Sequence, residues 1–419
     1  MAYCINGGRA LSGEVSAQGS KNAALPILFA CMAVRGRVLL SHLPAISDIE
    51  KTKALLSEFG AVFESTEEGL LVDTTHIHPA VASPSHTGAT RASSYLLGVG
   101  LGCFGEVRLS PSGGCNLGKR PLDIHKGALE ALGALWQEEE GSIHLYASRL
   151  SGRRVRLPYR SVGATVNLLL AALFAEGRTD IYNYAREGHI RELLRFLRAV
   201  GAEVAETPTR LTVWGKRPLH SAAFRVSGDE IEAATYLMGG VATGGNVRVS
   251  GISPEGLFPL LHTLGKMGVK VETEKDAVAV LARGRLYGTD VVCRPHPGFP
   301  TDLHPQMSVL LALSETGGSV RDTVFPDRFG YADALAKMGG AYRRRGGTIR
   351  LFPSVLRGAD VAAPDLRAGA ALTIAALAAE GRTLLEGEAF IGRGYESFAE
   401  KWQSLGGDIT LLPSAPPSS

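Results

Sequence analysis

The chain repeats itself. A helix-like segment that closes on a glycine and passes into a strand-like segment recurs six times, as SEFGAVFE, EALGALWQ, RAVGAEVA, GKMGVKVE, AKMGGAYR and QSLGGDIT. The glycines are Gly60, Gly133, Gly201, Gly268, Gly339 and Gly406, at spacings of 73, 68, 67, 71 and 67 residues. So regular a period restricts the fold to copies of one supersecondary unit. A second unit alternates with the first: an Ala/Leu-rich run that ends in glycine and enters a β-favouring stretch, from NAALPILFACMAVRGRVLL to AGAALTIAALAAEGRTLL. Each repeat therefore holds two helices and several short strands, with glycine supplying the positive φ of a C-cap at the helix exits. Alternating helix and strand signals predict mixed α and β structure. The first helix of a repeat, as in AALPILFACMA, is apolar or small around most of its circumference and must be buried on nearly all sides. The second, as in IEKTKALLSEFG, is amphipathic and belongs outside. Six units exceed what one core usually accommodates, so two lobes of three repeats are expected, with a cleft between them as the place for a ligand.

Composition excludes several functions. Apolar residues make up 45% and charged ones 20%, which is no disordered chain. Forty-four Lys plus Arg against 41 Asp plus Glu give a formal charge of +3, too balanced for a nucleic-acid or membrane footprint. The longest apolar run, Ala92 to Gly105, falls short of the roughly 20 residues of a spanning helix. The start, MAYCINGGRALSGEV, lacks the basic-then-apolar pattern of a secretory signal, so a cytoplasmic protein is expected. Five scattered cysteines without a CxxC predict neither a disulfide scaffold nor a zinc site.

The entrances of the buried helices carry unusual charges. Lys21 and Asn22 follow Ser20 at the first and Arg91 stands at the second, while Ser161, Val162 and Gly163 open the third. Asp229, Glu230 and Glu232 open the fourth, Asp302 the fifth, and Asp365 with Arg367 the sixth. Taken alone, Asp302 and Asp365 read as caps for free N–H groups. Lys21, Arg91 and Arg367 are unfavourable at a positive helix end unless an anion is bound nearby. Together they suggest a cradle for a small, highly charged ligand such as a phosphorylated carboxylate.

Among the cysteines, Cys31, Cys103 and Cys293 sit in apolar or strand-like contexts and read as small buried hydrophobes. Cys115 lies instead in the glycine-rich PSGGCNLGKR, with Lys119 and Arg120 within five residues. Nearby positive charge lowers a thiol pKa from about 8.5 toward neutrality and makes the group a usable acid, base or nucleophile. GLGCFG, residues 100 to 105, satisfies GxGxxG, but a helix-like run precedes it and strand-like EVRLS follows, the reverse of a dinucleotide fold. His262, on an apolar helix, is expected to be packed.

The ordered set GSKNAALPI, TRAS, GGCNLGKRPLDIH, SVGAT, GFPTDLHPQ, DRF, DLRAGAAL and RGYE resembles the UDP-N-acetylglucosamine enolpyruvyl transferase family across nearly the whole chain. That resemblance implies a two-lobed inside-out α/β barrel of six βαβαββ repeats, three per lobe. One lobe would be residues 21–229 and the other, discontinuous, residues 1–20 with 230–419. The implied reaction moves the enolpyruvyl group of phosphoenolpyruvate onto the 3-hydroxyl of UDP-N-acetylglucosamine, releasing phosphate, with no cofactor or metal and small molecules as the only named partners. In the family the residue matching Cys115 is the general acid toward the methylene carbon and the thiol alkylated by fosfomycin. The residue matching Asp302 is the base for the sugar hydroxyl. Those matching Lys21, Asn22, Arg120, Arg328 and Arg393 hold phosphoenolpyruvate, supported by Asp365 and Arg367. Those matching Asn22, Arg91, Arg120, Pro121, Leu122, Asp123, Ile124, Ser161, Val162, Gly163, Asp302 and Val324 meet the nucleotide sugar, joined here by Arg160 where the family often has a lysine.

Four places depart from the family pattern. FEN is FPD, with Pro326 and Asp327 before Arg328; HIDRGYE is FIGRGYE, with Gly392 beside Arg393; REPEI is REGHI; and DRIE is DEIE. They leave open a sibling acting on another uridine nucleotide such as UMP, and a silent nucleotide-sugar-binding paralogue. Enolpyruvylshikimate phosphate synthase lacks the loop thiol and RPLDI.

Overall fold

The computed structural model describes residues 1–110, 122–139 and 141–413. Each repeat builds one small sheet. In the repeat that begins at strand Arg154–Arg156, helix Val162–Ala172 leads to strand Arg178–Tyr182, which runs parallel to the first with Asp180 opposite Arg154. Helix Gly188–Ala199 then leads into the hairpin Glu203–Glu206 and Arg210–Trp214, whose last strand inserts antiparallel beside the second. The order across the sheet is first, second, fourth, third, and five four-stranded sheets share it. The sixth, made of Glu106–Leu109, Leu135–Glu139 and Ser142–Tyr146, has three strands and lacks the parallel first one among the described residues. The mixed α/β content is as expected, and so is the inside-out arrangement: the sheets stay open among the described residues and lie against apolar helices that pack on one another, as Glu230–Ala242, His304–Leu313 and Leu366–Ala378 do.

Three sheets are completed by distant strands. Ala222–Arg225 supplies the parallel partner of Arg37–Ser41, and Ala2–Asn6 lies between Arg382–Glu386 and Asp408–Leu412. Ser12–Ser16 pairs parallel with Asn246–Ser250, so everything between Ser16 and helix Glu230–Ala242 is inserted between a first strand and its helix. The chain accordingly forms two compact units: Met1–Gln18 with Gly228 onward, and the described residues from Gly19 to Ser227. These boundaries lie two residues before the expected ones.

The local signals behave as their chemistry dictates. All six repeat glycines take positive φ, from 86° at Gly60 to 105° at Gly133, immediately after their helices. The apolar helices are enclosed: every residue of Leu366–Ala378 except Ala378 is buried. In its unit this helix packs on Glu230–Ala242 and His304–Leu313. In the other unit Leu96–Phe104 crosses Val162–Ala172 at Gly98, where a Cβ would stand 2.3 Å from the Asn167 carbonyl oxygen, so only glycine permits the approach. The second helices bury one face only; Gly188–Ala199 buries Ile190, Leu193, Leu194, Phe196 and Leu197, each contributing about 1.5–3 kcal/mol.

Cys31, Cys103 and Cys293 are buried, and burial pushes the Cys103 thiol up to about 12. GLGCFG spans the end of helix Leu96–Phe104 before strand Glu106–Leu109, the wrong order for a dinucleotide turn. His262 differs from expectation: it lies exposed on helix Pro254–Lys266, stacked on Phe258 at 6.0 Å, because the apolar residues beside it face outward too. Among the described residues no helix is long and apolar enough to cross a membrane, and no group of three or more His, Cys, Asp or Glu could hold a metal ion.

Candidate active site

In the unit from Gly228 onward, charge gathers where the central helices begin. The loop ahead of helix His304–Leu313 is a 3-10 turn, Thr301–Leu303, which lifts Asp302 off the cap position; the N-cap residue is Leu303. The Asp302 carboxylate is taken instead by two guanidinium groups. Arg328 Nη1 donates to Oδ1 at 2.7 Å and Arg367 Nη2 to Oδ2 at 3.0 Å. Both arginine side chains are 4% exposed, against 26% for Asp302. Burial alone would raise the Asp302 pKa, but the two cations outweigh it and hold the carboxyl well below the usual carboxylate range. Asp229 also pulls on the Arg367 guanidinium. The buried Arg328 Nε–H has no hydrogen-bond partner among the described residues.

Packing fixes both arginines. Arg328 Nη1 also donates to Thr301 Oγ1 at 3.2 Å, and that hydroxyl donates to Asp322 Oδ2 at 2.6 Å. His304 Nδ1 lies 3.2 Å from the same oxygen and its Nε2 2.9 Å from the Tyr331 hydroxyl, which assigns the ring proton to Nδ1. Burial keeps His304 neutral by pushing its pKa down. Asp322 Oδ1 accepts from the backbone N–H groups of Val324, at 2.8 Å, and Phe325, at 2.9 Å, and so shapes the turn before Arg328. Arg367 Nη1 donates to the Tyr395 hydroxyl at 3.3 Å, itself 2.9 Å from Thr235 Oγ1.

Asp365 does cap its helix, accepting from the N–H groups of Arg367, at 2.9 Å, and Ala368, at 3.1 Å. Asp229 caps Glu230–Ala242 likewise, at 2.9 and 3.0 Å. Arg393 is half-buried in the turn after Glu388–Ile391. Of the departures, Asp327 is exposed and pairs with Arg344 at 3.1 Å, leaving Arg328 to Asp302. At Gly392 a Cβ would stand 3.3 Å from Glu388 Oε1, so an acid there would crowd an acid.

The unit from Gly19 to Ser227 arranges its residues differently. Lys21, the first residue of helix Lys21–Cys31, is buried against buried Asp48 at 2.7 Å. Asn22 follows it, half-buried. Ser161 caps Val162–Ala172 by accepting from Ala164 N–H at 3.3 Å. At Gly163 a Cβ would stand 2.5 Å from His125 Nε2, so any larger residue would displace the ring. His125 is buried at the start of helix Asp123–Glu130; burial, helped by Arg91, pushes its pKa down to about 4, and Nδ1 has no partner among the described residues. Arg91 opens the 3-10 turn Arg91–Tyr95, and Arg160 Nε reaches Asn183 Oδ1 at 3.4 Å.

Asp302, Arg328 and Arg367 are thus brought together in one unit, with Val324 on the supporting turn. In the other unit His125 lies against Gly163 and feels the charges of Arg91 and Asp123, with Leu122 and Ile124 beside Asp123 in the chain. Cys115, Arg120 and Pro121 lie outside the described residues. Sequence reasoning missed Asp48, Asp322, His125 and His304, although His304 and His125 lie inside the motifs GFPTDLHPQ and RPLDIH.

The family model of EPSP synthase (3-phosphoshikimate 1-carboxyvinyltransferase) matches residues 5–402. A UDP-N-acetylglucosamine 1-carboxyvinyltransferase from Halothermothrix orenii is 39% identical, covering 97% of this chain and 98% of its own. UDP-N-acetylglucosamine 1-carboxyvinyltransferase 2 from Listeria monocytogenes is 36% identical over 98% of both. The crystal structure of the enolpyruvyl transferase NikO from Streptomyces tendae superposes with a TM-score of 0.89 at 26% identity, over 98% of both chains. EPSP synthase from Acinetobacter baumannii shares the fold, with a TM-score of 0.73 at 20% identity over 98% of this chain and 99% of that one.

Proposed function

Because the chain belongs to the EPSP synthase family of 1-carboxyvinyl, or enolpyruvyl, transferases, we propose that it transfers the enolpyruvyl group of phosphoenolpyruvate to the 3-hydroxyl of UDP-N-acetylglucosamine. The product would enter peptidoglycan synthesis, in the cytoplasm. One observation carries the chemistry: Asp302 shared by two buried arginines, one of which keeps an N–H with no partner among the described residues.

A carboxylate held that far below its ordinary pKa is a poor base. Phosphoenolpyruvate brings a phosphate and a carboxylate that compete for Arg328, together with Arg393. Drawing Arg328 toward the substrate loosens its grip on Asp302 and raises the carboxyl pKa. The substrate thereby switches on its own base. Asp302 takes the proton of the sugar hydroxyl as that oxygen bonds to C2 of phosphoenolpyruvate, and C3 accepts a proton from Cys115. Loss of a C3 proton and of phosphate from the tetrahedral intermediate then regenerates the double bond on the new ether. Arg367, held by Asp365 capping and by Tyr395, stays to stabilise the developing charge.

The nucleotide sugar fits the other constellation. Its diphosphate suits the N-terminus of helix Val162–Ala172 at Ser161 to Gly163, with Arg91 and Arg160 as counter-charges, and its uracil the Pro121–Ile124 segment. Phosphate release with phosphoenolpyruvate plus UDP-N-acetylglucosamine, UMP or shikimate 3-phosphate tests the assignment. Turnover with the sugar nucleotide alone is expected; turnover only with UMP or shikimate 3-phosphate, or nucleotide binding without phosphate release, would overturn it.

A further inference from the structure

Gln18 is the last residue of its unit before the chain crosses to the other. It is 1% exposed, and all four of its polar groups are engaged within its own unit. Its backbone N–H donates to Glu232 Oε2 at 2.7 Å, and its carbonyl accepts from Asp229 N–H at 2.8 Å. Its side-chain Nε2 donates to the Gly394 carbonyl at 2.8 Å, and Oε1 accepts from Glu396 N–H at 2.8 Å. Glu232 Oε1 takes Lys401 Nζ at 2.7 Å, and Lys401 stands 3.7 Å from Glu396. This ring of bonds joins the first crossing, the return at Gly228–Asp229, and the turn that carries Arg393. Only an amide meets the turn's demand, because one end must donate to a carbonyl and the other accept from an N–H. The backbone N–H groups from Gly392 to Tyr395 bond back into helix Glu388–Ile391, and Gln18 ties down the far end of the turn at Gly394 and Glu396.

We propose that Gln18 is a positioning residue for Arg393: from the point where the chain leaves the unit, its amide sets where that arginine is presented to the anionic substrate. The inference rests on the reading of Arg393 as a phosphoenolpyruvate ligand.

Steady-state kinetics and thermal melting of Gln18→Met, Gln18→Glu and Arg393→Ala test it. Gln18→Met keeps the volume and loses both side-chain bonds. It is expected to raise KM for phosphoenolpyruvate about tenfold while leaving KM for UDP-N-acetylglucosamine within about twofold. Gln18→Glu retains the acceptor for Glu396 N–H and should fall between Met and wild type; it carries the test alone if the Met variant does not fold. Variants that lower the melting temperature but move both KM values together, or neither, would overturn the inference if Arg393→Ala still raises KM for phosphoenolpyruvate. If Arg393→Ala leaves that KM unchanged, the reading of Arg393 has failed and the inference falls with it.

Discussion

The two units treat charge at their helix entrances in opposite ways. From Gly228 onward an aspartate stands at or just ahead of each of the three central helices: Asp229 and Asp365 cap, and Asp302, in the turn before its helix, gathers two arginines. Between Gly19 and Ser227 the matching entrances carry Lys21, Arg91 and Ser161. In the first case the cations bring their own counter-ion, and a substrate anion must compete for them. In the second Lys21 is held by buried Asp48, while Arg91 opens a 3-10 turn and Ser161 caps a helix, positive ends that favour an anion there.

The largest effect that could break this contrast is the removal of the counter-ions. Asp302→Ala leaves Arg328 and Arg367 buried without the carboxylate they share, and a loss of about 4 kcal/mol in denaturant unfolding is expected. Inorganic phosphate should restore part of that stability, and more than it adds to wild type, because it binds the freed arginines. Lys21→Met leaves Asp48 buried, for about 3 kcal/mol, and here phosphate should not help. A phosphate response in both variants, or in neither, would erase the distinction between the units.

A smaller effect sharpens it. His125, with a folded pKa of about 4 against 6.5, stays neutral in the fold while the unfolded chain takes up a proton below pH 6.5. Its contribution is present above 6.5 and is lost as pH falls toward 4, by about 1.4 kcal/mol per pH unit. Burial pushes Glu232 up to about 7 from 4.5, against the pull of Lys401. The fold then holds a proton that the unfolded chain releases, so stability is present below pH 4.5 and is lost as pH rises through 7. The two slopes oppose each other between pH 4.5 and 6.5. His125→Gln should therefore expose a stability that falls with rising pH in that window, and Glu232→Gln one that rises. Denaturant midpoints measured across it check both signs; parallel profiles would mean that neither group is shifted as its surroundings dictate.

Much of this was legible in the chain because it is local. The repeat glycines mark helix exits through their own backbone freedom, and Asp229 and Asp365 cap residues two and three positions on. Asp302 misled the capping argument because a single 3-10 turn moves it off the helix end, a displacement that residue spacing does not encode. The second repeat's missing strand is a matter of pairing rather than of pattern. The partners that matter most were invisible for the same reason: Gln18 bonds to residues 376 and 378 positions away, and Asp322 supports Arg328 only through Thr301 and the turn at Val324. His262 was misjudged because an apolar helix face can point to water.

The central claim is that an anion in the site releases Asp302 from its arginines and makes it a base. Carboxyl 13C NMR titration of the aspartate-labelled protein, with the Asp302 resonance assigned by its disappearance in Asp302→Asn, measures this directly. Without added anion the resonance should stay ionised well below the ordinary carboxylate range, and with inorganic phosphate its pKa should rise by about one unit or more. An Asp302 pKa that is the same with and without phosphate would contradict the account.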